Sequence, residues 1–289
     1  MRRLALGTAQ FGLKYGVANE RGQVGADAVA AILKRASIAG INTLDTAIAY
    51  GDSEFTLGRI GVDTWRIVTK LPALPGDVPD VATWVDQHVQ ESLRRLGVLR
   101  VEALLLHRPA DLLGPHGAVY RNALLRLRER GIAGAVGVSI YDPSELDEIW
   151  PLFKPEMVQA PCNVLDRRLQ HSGWLNRLAQ EGVRLHVRSV FLQGLLLMPA
   201  FRRPAWLNRW SALLDRWSAW CAQEKVTPLE ASVGFINSLP HIECYVVGVE
   251  TLTQLEQILE ADARPSPMPP ADMFSGEVEL LEPSRWKLT

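Results

Sequence analysis

Four titratable side chains of different types lie at or just after the ends of short apolar runs in the sequence. They are Asp45, Tyr50, Lys70 and His107. Short apolar runs are typical of buried strands, so we expect these side chains at strand ends. The set suits carbonyl reduction, in which hydride attack builds negative charge on an oxygen that then needs a proton.

Each of the four residues has a role in this chemistry. Tyr50 would donate the proton, and the Lys70 ammonium would lower the pKa of a phenol that is otherwise about 10. Asp45 would keep Lys70 charged and in place, while a hydrogen bond from His107 would orient the carbonyl. Each residue alone also fits a structural role: Asp45 could be an N-cap, Tyr50 a half-buried helix residue, Lys70 a surface residue and His107 a core residue. We favour catalysis because all four are expected on one rim, at the same end of the predicted strands.

Eight apolar runs of strand length alternate with amphipathic stretches along the chain. Most runs do not alternate in polarity, so we expect helices to cover both faces of the sheet. The apolar positions of Ala28–Ala39 and Val81–Leu96 recur at spacings of three and four, which predicts helices there. The predicted strands are Leu4–Ala9, Ile41–Thr46, Trp65–Leu71, Glu102–His107, Gly134–Ser139, Met157–Ala160, Val183–Val190 and Cys244–Val249.

Capping residues mark the ends of several predicted helices. Asp27 and Ser144 stand where N-caps are expected, and left-handed C-caps are expected at Gly40, Gly97, Gly131 and Gly182. Eight strands alternating with helices fit a (β/α)8 TIM barrel, whose active site lies at the carboxyl ends of the strands. An open doubly wound sheet is disfavoured, because no G-x-G-x-x-G or phosphate-loop motif follows a strand.

The chain is expected to form one domain. Residues 1–262 make the barrel, and residues 263–289, which begin with a Pro-rich segment, make an irregular C-terminal tail that packs on or near it. The 289 residues carry 31 Lys+Arg and 32 Asp+Glu, a formal net charge of −1. This balance gives no general attraction to nucleic acid or anionic lipid.

No apolar run approaches the roughly 18 residues that a membrane span needs. The first residues also lack the long apolar stretch of a signal peptide. The cysteines, at positions 162, 221 and 244, are too widely separated to suggest a disulfide framework or a zinc motif. We therefore predict a cytoplasmic protein with no metal, nucleic-acid partner or membrane segment.

These motifs together resemble the aldo-keto reductase family from about Leu4 to Leu259. The segments that carry the resemblance are Leu4–Gly12, Asp45–Gly51, Lys70, Leu106–Pro109, Gly137–Ser139, Val158–Asn163 and Ser189–Leu196. The resemblance implies a nicotinamide-dependent oxidoreductase that acts on a small aldehyde, ketone or sugar carbonyl. It also assigns Tyr50 as the general acid, supported by Lys70, Asp45 and His107.

The same resemblance implies NADP(H) as the cofactor and a set of residues that hold it. Those residues are Gly7, Thr8, Ala9, Asp45, Ser139, Gln159, Arg188, Ser189, Phe191, Gln193, Gly194, Gly248, Glu250 and Gln254. Two departures lie near the nicotinamide. Ile140 replaces an asparagine of the family, and Arg188 replaces an aromatic residue that stacks on the nicotinamide ring, a contact that a planar guanidinium can also make.

A further departure concerns the adenosine half of the cofactor. The loop Gly248–Gln257 contains no Lys or Arg, and Glu250 would repel a 2′-phosphate if it pointed inward. Gln257 and Ile258 replace a glutamate and an asparagine that meet adenine in the family. We predict that the protein discriminates less strongly between NADP(H) and NAD(H) than is usual in the family, so that NAD(H) is also usable. The alternative is that Arg264, or another basic residue distant in sequence, folds over the site.

Two other functions compete with the reductase. One is a cofactor-binding regulatory subunit without significant turnover, as in the potassium-channel β subunits that share this fold. The other is an aldolase that forms a Schiff base on Lys70. Substrate choice is expected to depend on Leu197–Asn208 and on the tail up to Trp286. The sequence leaves the oligomeric state and the physiological direction open.

Overall fold

The computed structural model describes residues 2–17, 19 and 21–286. Eight parallel strands close into a barrel in sequence order, and β1 pairs with both β2 and β8. This confirms the predicted (β/α)8 fold in a single domain. The strands are β1 Leu4–Gly7, β2 Thr43–Asp45, β3 Arg66–Leu71, β4 Ala103–Leu106, β5 Val136–Ser139, β6 Met157–Pro161, β7 Arg184–Arg188 and β8 Cys244–Gly248.

The helices of the described residues lie between the strands and in the tail. Among them, no helix has the length and apolar character that crossing a membrane requires. The helices are α1 Ala9–Gly12, α2 Ala26–Ile38, α3 Ser53–Ile60, α4 Val81–Leu96, α5 Gly117–Glu129, α6 Glu145–Ile149, α7 Arg168–His171, α8 Trp174–Gln180, α9 Ser211–Gln223, α10 Pro228–Ser238, α11 Leu252–Asp262 and α12 Val278–Leu281.

The helix ends agree with the sequence in most places. All four glycines predicted as left-handed C-caps have positive φ, between 68° and 81°. The prediction for Asp27 was wrong: Gly25 is the N-cap of α2, and Asp27 lies in its first turn, where a carboxylate stabilises the helix dipole. Ser144 occupies the N-cap position of α6, but its hydroxyl donates to Asp142 and caps no backbone N–H.

The amino-terminal end of the barrel is closed by a ring of ion pairs. Arg66 and Arg184 each contact both Glu102 and Glu243, with N···O distances of 2.7 to 2.9 Å. His186 lies beside this ring. One of its ring nitrogens lies within 4.8 Å of a Glu243 carboxylate oxygen and of the Cys244 sulfur. The two arginines already neutralise the Glu243 carboxylate, so we read this group as part of the ion-pair network.

The tail packs against the barrel as far as residue 286. Ser275 N donates to the carbonyl of Leu165 at 2.8 Å, and Arg167 donates to the carbonyl of Pro270 at 2.9 Å. Met273 and Trp286 are buried against the barrel. The last helix before the tail, α11, ends at Asp262. The division of the chain after that residue stays a prediction, and residues 287–289 lie outside the described part.

Candidate active site

The structure brings the four predicted catalytic residues together at the carboxyl ends of the strands. Asp45 ends β2, Lys70 lies near the end of β3 and His107 directly follows β4. Tyr50 lies in the loop between β2 and α3. The Lys70 ammonium lies 5.3 Å from the centre of the Tyr50 ring, and the rings of Tyr50 and His107 meet edge-on at 5.8 Å.

A buried ion pair forms the floor of this site. Lys70 Nζ donates to Asp45 Oδ1 at 2.7 Å and to the carbonyl of Thr46 at 2.8 Å. Both side chains are buried, at 1% and 5% exposure. A pair removed from water to this extent survives because its remaining hydrogen bonds are also made. On Asp45, the second oxygen accepts from Gln159 Nε2 at 2.6 Å.

Two glycines fix the loop that carries Tyr50. A Cβ on Gly12 would overlap the carbonyl oxygen of Tyr50, and a Cβ on Gly51 would overlap the carbonyl of Gly12. Gly51 also has a positive φ of 51°. The β2–α3 loop therefore rests directly on the backbone of α1. The first-strand motif contained Gly12, but only the folded chain shows what it contacts.

Burial has the largest effect on the pKa values of Tyr50, Lys70 and His107. It raises the pKa of the Tyr50 phenol above its ordinary range; Asp45 adds to the rise, and the Arg188 guanidinium opposes it. Burial also lowers the pKa of Lys70, against the pull of Asp45. For His107, burial and then the charges of Lys70 and Arg188 lower the pKa to about 4. The imidazole is therefore neutral at pH 7, and one ring nitrogen carries a proton to donate.

Two cations lie near the Tyr50 phenol. The Lys70 ammonium lies 5.3 Å from the ring centre and is paired with Asp45, and the lowering of the Tyr50 pKa that the sequence predicts for it stays a prediction. Arg188 is the second cation, and its charge lowers the pKa of Tyr50 against the effect of burial. Its guanidinium donates to the carbonyl of Ile140 at 3.0 Å and to Ser189 Oγ at 3.2 Å, and its Cζ lies 4.5 Å from the centre of the Tyr141 ring.

An open cleft of about 440 Å³ runs from Tyr50 and Asp45 to α11. This volume is within the usual range of ligand pockets. Most of the residues predicted to hold a cofactor line it. They are Gly7, Thr8, Ala9, Asp45, Arg188, Ser189, Phe191, Gln193, Gly194, Gly248, Glu250 and Gln254.

Ser139 and Gln159, the two other predicted cofactor residues, do not line the cleft. They are partners in the β5–β6 register and are buried beneath it. Ser139 Oγ donates to Gln159 Oε1 at 3.2 Å, and Gln159 in turn donates to Asp45. The structure thus connects them to the ion pair of the site floor. Their contact with a nicotinamide carboxamide stays a prediction.

The cleft also contains residues that the sequence did not single out. Gln10 packs its amide against Gly248, where any Cβ would overlap it. Tyr15 accepts a hydrogen bond from Gln193 Nε2 at 3.2 Å. Arg202 lines the cleft together with Glu250, whereas Arg264, the basic residue named as an alternative, pairs with Glu230 at 3.0 Å. No local pattern marks these residues, because loops distant in sequence bring them to the cleft.

The residues present fit a nicotinamide dinucleotide. Such a ligand is long and anionic, and the residues that line the cleft run from Asp45 and Tyr50 to the first turns of α11, with the cations of Arg188 and Arg202 and the amide groups of Gln193 and Gln254 among them. Gly7 ends β1 and Gly248 ends β8, and neither has a side chain that would fill the cleft. A Cβ on Gly7 would already meet the side chain of Val246 at 3.1 Å.

A family model confirms the class of protein that the barrel and its rim define. The model of the aldo/keto reductase family matches residues 3–268. The chain therefore belongs to the aldo/keto reductase family.

Individual relatives agree with this assignment. Aflatoxin B1 aldehyde reductase member 2 of Rattus norvegicus is 30% identical over 210 residues, which is 66% of this chain and 52% of that protein. An uncharacterised oxidoreductase of Mycobacterium bovis is 32% identical over 142 residues, 48% of this chain and 42% of its own length. The match thus spans about half the length of these curated relatives.

Solved structures show the same fold. An aldo-keto reductase from Bacillus halodurans, in its holo form, superposes with a TM-score of 0.72 at 19% identity and covers 92% of this chain and 88% of its own. A protein of Pseudomonas aeruginosa assigned to the aldo-keto reductases gives a TM-score of 0.67 at 23% identity, with 90% and 89% covered.

Proposed function

We propose that this protein is an NAD(P)H-dependent oxidoreductase that reduces an aldehyde, ketone or sugar carbonyl to the alcohol, or catalyses the reverse reaction. The observation that carries the proposal is the buried Lys70–Asp45 pair, whose ammonium lies 5.3 Å from the centre of the Tyr50 ring, beside a cleft that Tyr50 and Asp45 line. Membership of the aldo/keto reductase family supports it.

The side chains divide the work in the following way. When bound, the reduced cofactor supplies the hydride. Tyr50 donates its phenolic proton to the carbonyl oxygen, and the charges of Lys70 and Arg188 stabilise the phenolate that remains. Asp45 holds Lys70 in place. His107 is neutral at pH 7, so it donates a hydrogen bond that positions the carbonyl and takes part of the developing charge.

We further propose that the lining residues of the cleft bind NADP(H) or NAD(H). Arg188 ends β7, and Ser189 and Gln193 follow it, while Glu250 and Gln254 lie between the end of β8 and the first turn of α11. Arg202 and Glu250 both line the cleft: Arg202 carries a charge of the sign that a 2′-phosphate needs, and Glu250 carries oxygens of the kind that accept from ribose hydroxyls. Both forms are therefore expected to bind.

The structure weighs against the aldolase. Schiff-base chemistry needs an amine that substrate can reach, whereas Lys70 is 1% exposed and donates two hydrogen bonds below the Tyr50 ring. The regulatory subunit differs from the reductase only in lacking turnover, so kinetics distinguishes the two.

A panel of aldehydes, ketones and sugars, each tested with NADPH and NADH, tests the proposal. We expect carbonyl-dependent loss of absorbance at the reduced-nicotinamide band, with no loss when the carbonyl is omitted. Trapping of a substrate on Lys70 by borohydride, absent in Lys70→Met, would instead establish the aldolase. Tight cofactor binding without turnover on any panel member would contradict the reductase and support the regulatory subunit.

A further inference from the structure

Arg188 has no acidic partner among the residues that the structure describes. A guanidinium carries five N–H groups, and its bonds to Ile140 O and Ser189 Oγ use only two of them. Both acceptors are uncharged. Tyr141 covers one face of the guanidinium at 4.5 Å. A half-buried cation whose remaining N–H groups border a cleft is a site for an anion, because unpaired charge away from water is costly.

The charge of Arg188 acts at the reaction centre. Arg188 ends β7, and its side chain lines the same cleft as Tyr50 and Asp45. In keeping with this position, its charge lowers the pKa of Tyr50, of Lys70 and of His107. The negative charge of Asp45 is already matched by Lys70 at 2.7 Å. The site therefore keeps one positive charge beside the position where the carbonyl must meet Tyr50.

Two kinds of ligand could bring the matching anion: the cofactor with its phosphates, or the substrate with a carboxylate. A ribose and the nicotinamide ring separate the diphosphate of a dinucleotide from the carbon that donates hydride. An anion at Arg188 lies close to Tyr50 and therefore close to the reacting carbonyl. This position favours the substrate. The edges of a guanidinium bind a carboxylate through two parallel N–H bonds, while its faces are left for stacking.

We propose that Arg188 is a specificity-determining residue that selects carbonyl substrates bearing a carboxylate a short distance from the reacting carbon. The proposal rests on the reductase function proposed above. Tyr141 would hold the guanidinium from one face, and the bond to Ile140 O would aim its free edge into the cleft.

The test compares two aldehydes that differ in charge and little in size, 4-carboxybenzaldehyde and 4-methylbenzaldehyde. In the wild type we expect kcat/KM to favour the carboxylate by tenfold or more. Arg188→Met should lower this ratio at least tenfold, and Arg188→Lys should keep part of it. Arg264→Met, which removes a cation that pairs with Glu230 and does not line the cleft, is the control and should leave the ratio within threefold.

Two binding measurements complete the test. The first is the titration of benzoate into the protein with NADP+ bound, which needs no turnover. Arg188→Met should raise the Kd of benzoate at least tenfold and should leave the Kd of benzamide, which has no charge, unchanged. The second is the quenching of tryptophan fluorescence by NADPH, which gives the Kd of the cofactor. If Arg188→Met weakened NADPH binding tenfold and left the aldehyde ratio and benzoate binding unchanged, the anion would be the cofactor phosphate and the proposal would be overturned.

Failure of the proposal and failure of the reductase function give different results. If neither aldehyde, nor any member of the carbonyl panel, were reduced, the reductase would fail, and benzoate binding alone would then decide the role of Arg188. If both aldehydes were reduced with a ratio that Arg188→Met did not change, the reductase would stand and the carboxylate preference would be wrong.

Discussion

At the scale of single residues, we propose that both stability and chemistry depend on the buried pair of Lys70 and Asp45. Its two charges lie 2.7 Å apart with almost no exposure, and Gln159 satisfies the second carboxylate oxygen. Removing one partner leaves the other charge buried and unpaired, whereas removing both leaves none. This asymmetry separates the structural contribution of the pair from the catalytic one that we propose.

Lys70→Met should lower the free energy of unfolding by about 3–5 kcal/mol, because Asp45 is then left uncompensated. The double variant Asp45→Leu/Lys70→Met should regain much of this loss and should remain without turnover. Urea unfolding and the carbonyl assay measure the two effects. Recovery of activity together with stability in the double variant would show that the pair is only structural.

We expect individual side chains to decide cofactor choice as well. Glu250→Arg should shift the ratio of the Kd values for NADH and NADPH at least tenfold toward NADPH, which corresponds to about 1.4 kcal/mol. Arg202→Met should shift the ratio the other way if this cation meets the 2′-phosphate. Tryptophan fluorescence quenching gives both constants. A wild-type preference for NADPH of a hundredfold or more would contradict the prediction that NADH is usable.

The sequence was most informative where a residue follows its own strand. Asp45, Lys70 and His107 could be assigned to one rim because parallel strand ends share an edge. Arg202 and Tyr15 could not, because the loops that carry them reach the cleft only in the folded chain. The electrostatic role of Arg188 was missed for a related reason: it depends on its distance from Tyr50, which lies far away in sequence.

At the scale of elements, the eight strands were predicted in the right order, but several of their ends were not. The run Leu4–Ala9 gives a strand that ends at Gly7, and Val183–Val190 gives one that ends at Arg188. Apolar residues continue past the last paired residue because they line the cleft or begin the next helix. At Ser189, a positive φ of 59° turns the chain out of the sheet.

The contact between α1 and the Tyr50 loop gives a prediction about elements. Gly12→Ala should lower stability by about 1–3 kcal/mol and reduce turnover strongly, since the added methyl forces the Tyr50 loop away from α1. Gly76→Ala is the matched control, because nothing lies within 4 Å of a Cβ there. Thermal unfolding and the carbonyl assay are the measurements. Equal effects of the two substitutions would show that the contact does not position Tyr50.

At the scale of the whole molecule, the barrel has one end that carries the candidate active site and one end closed by ion pairs. His186 is fully buried beside the ion-pair ring, and neither of its ring nitrogens has a hydrogen-bond partner in the described part of the chain. Burial lowers its pKa to about 4, against an ordinary 6.5. The arginines hold the pKa of Glu243 at about 2, although burial opposes them.

These shifts predict how stability depends on pH. Between about pH 6.5 and 4 the unfolded chain binds protons that buried His186 does not, so the free energy of unfolding should fall as the pH falls. Glu243 acts in a lower window, since its stabilising charge is present above about pH 4.5 and is lost toward pH 2. Melting temperatures from pH 7.5 to 4.5 measure the first window. His186→Met should flatten that slope; an unchanged slope would assign it to other groups.

The central claim is that Tyr50 donates the proton, and Tyr50→Phe tests it most directly because it removes only the hydroxyl. We predict that kcat/KM for carbonyl reduction falls by roughly 10²–10⁴, the range typical of general acid catalysis, while the Kd for NADPH stays within threefold. Tyr120→Phe, which removes a buried hydroxyl without a partner in the described residues, should change neither. Turnover by Tyr50→Phe at close to the wild-type rate would contradict the assignment.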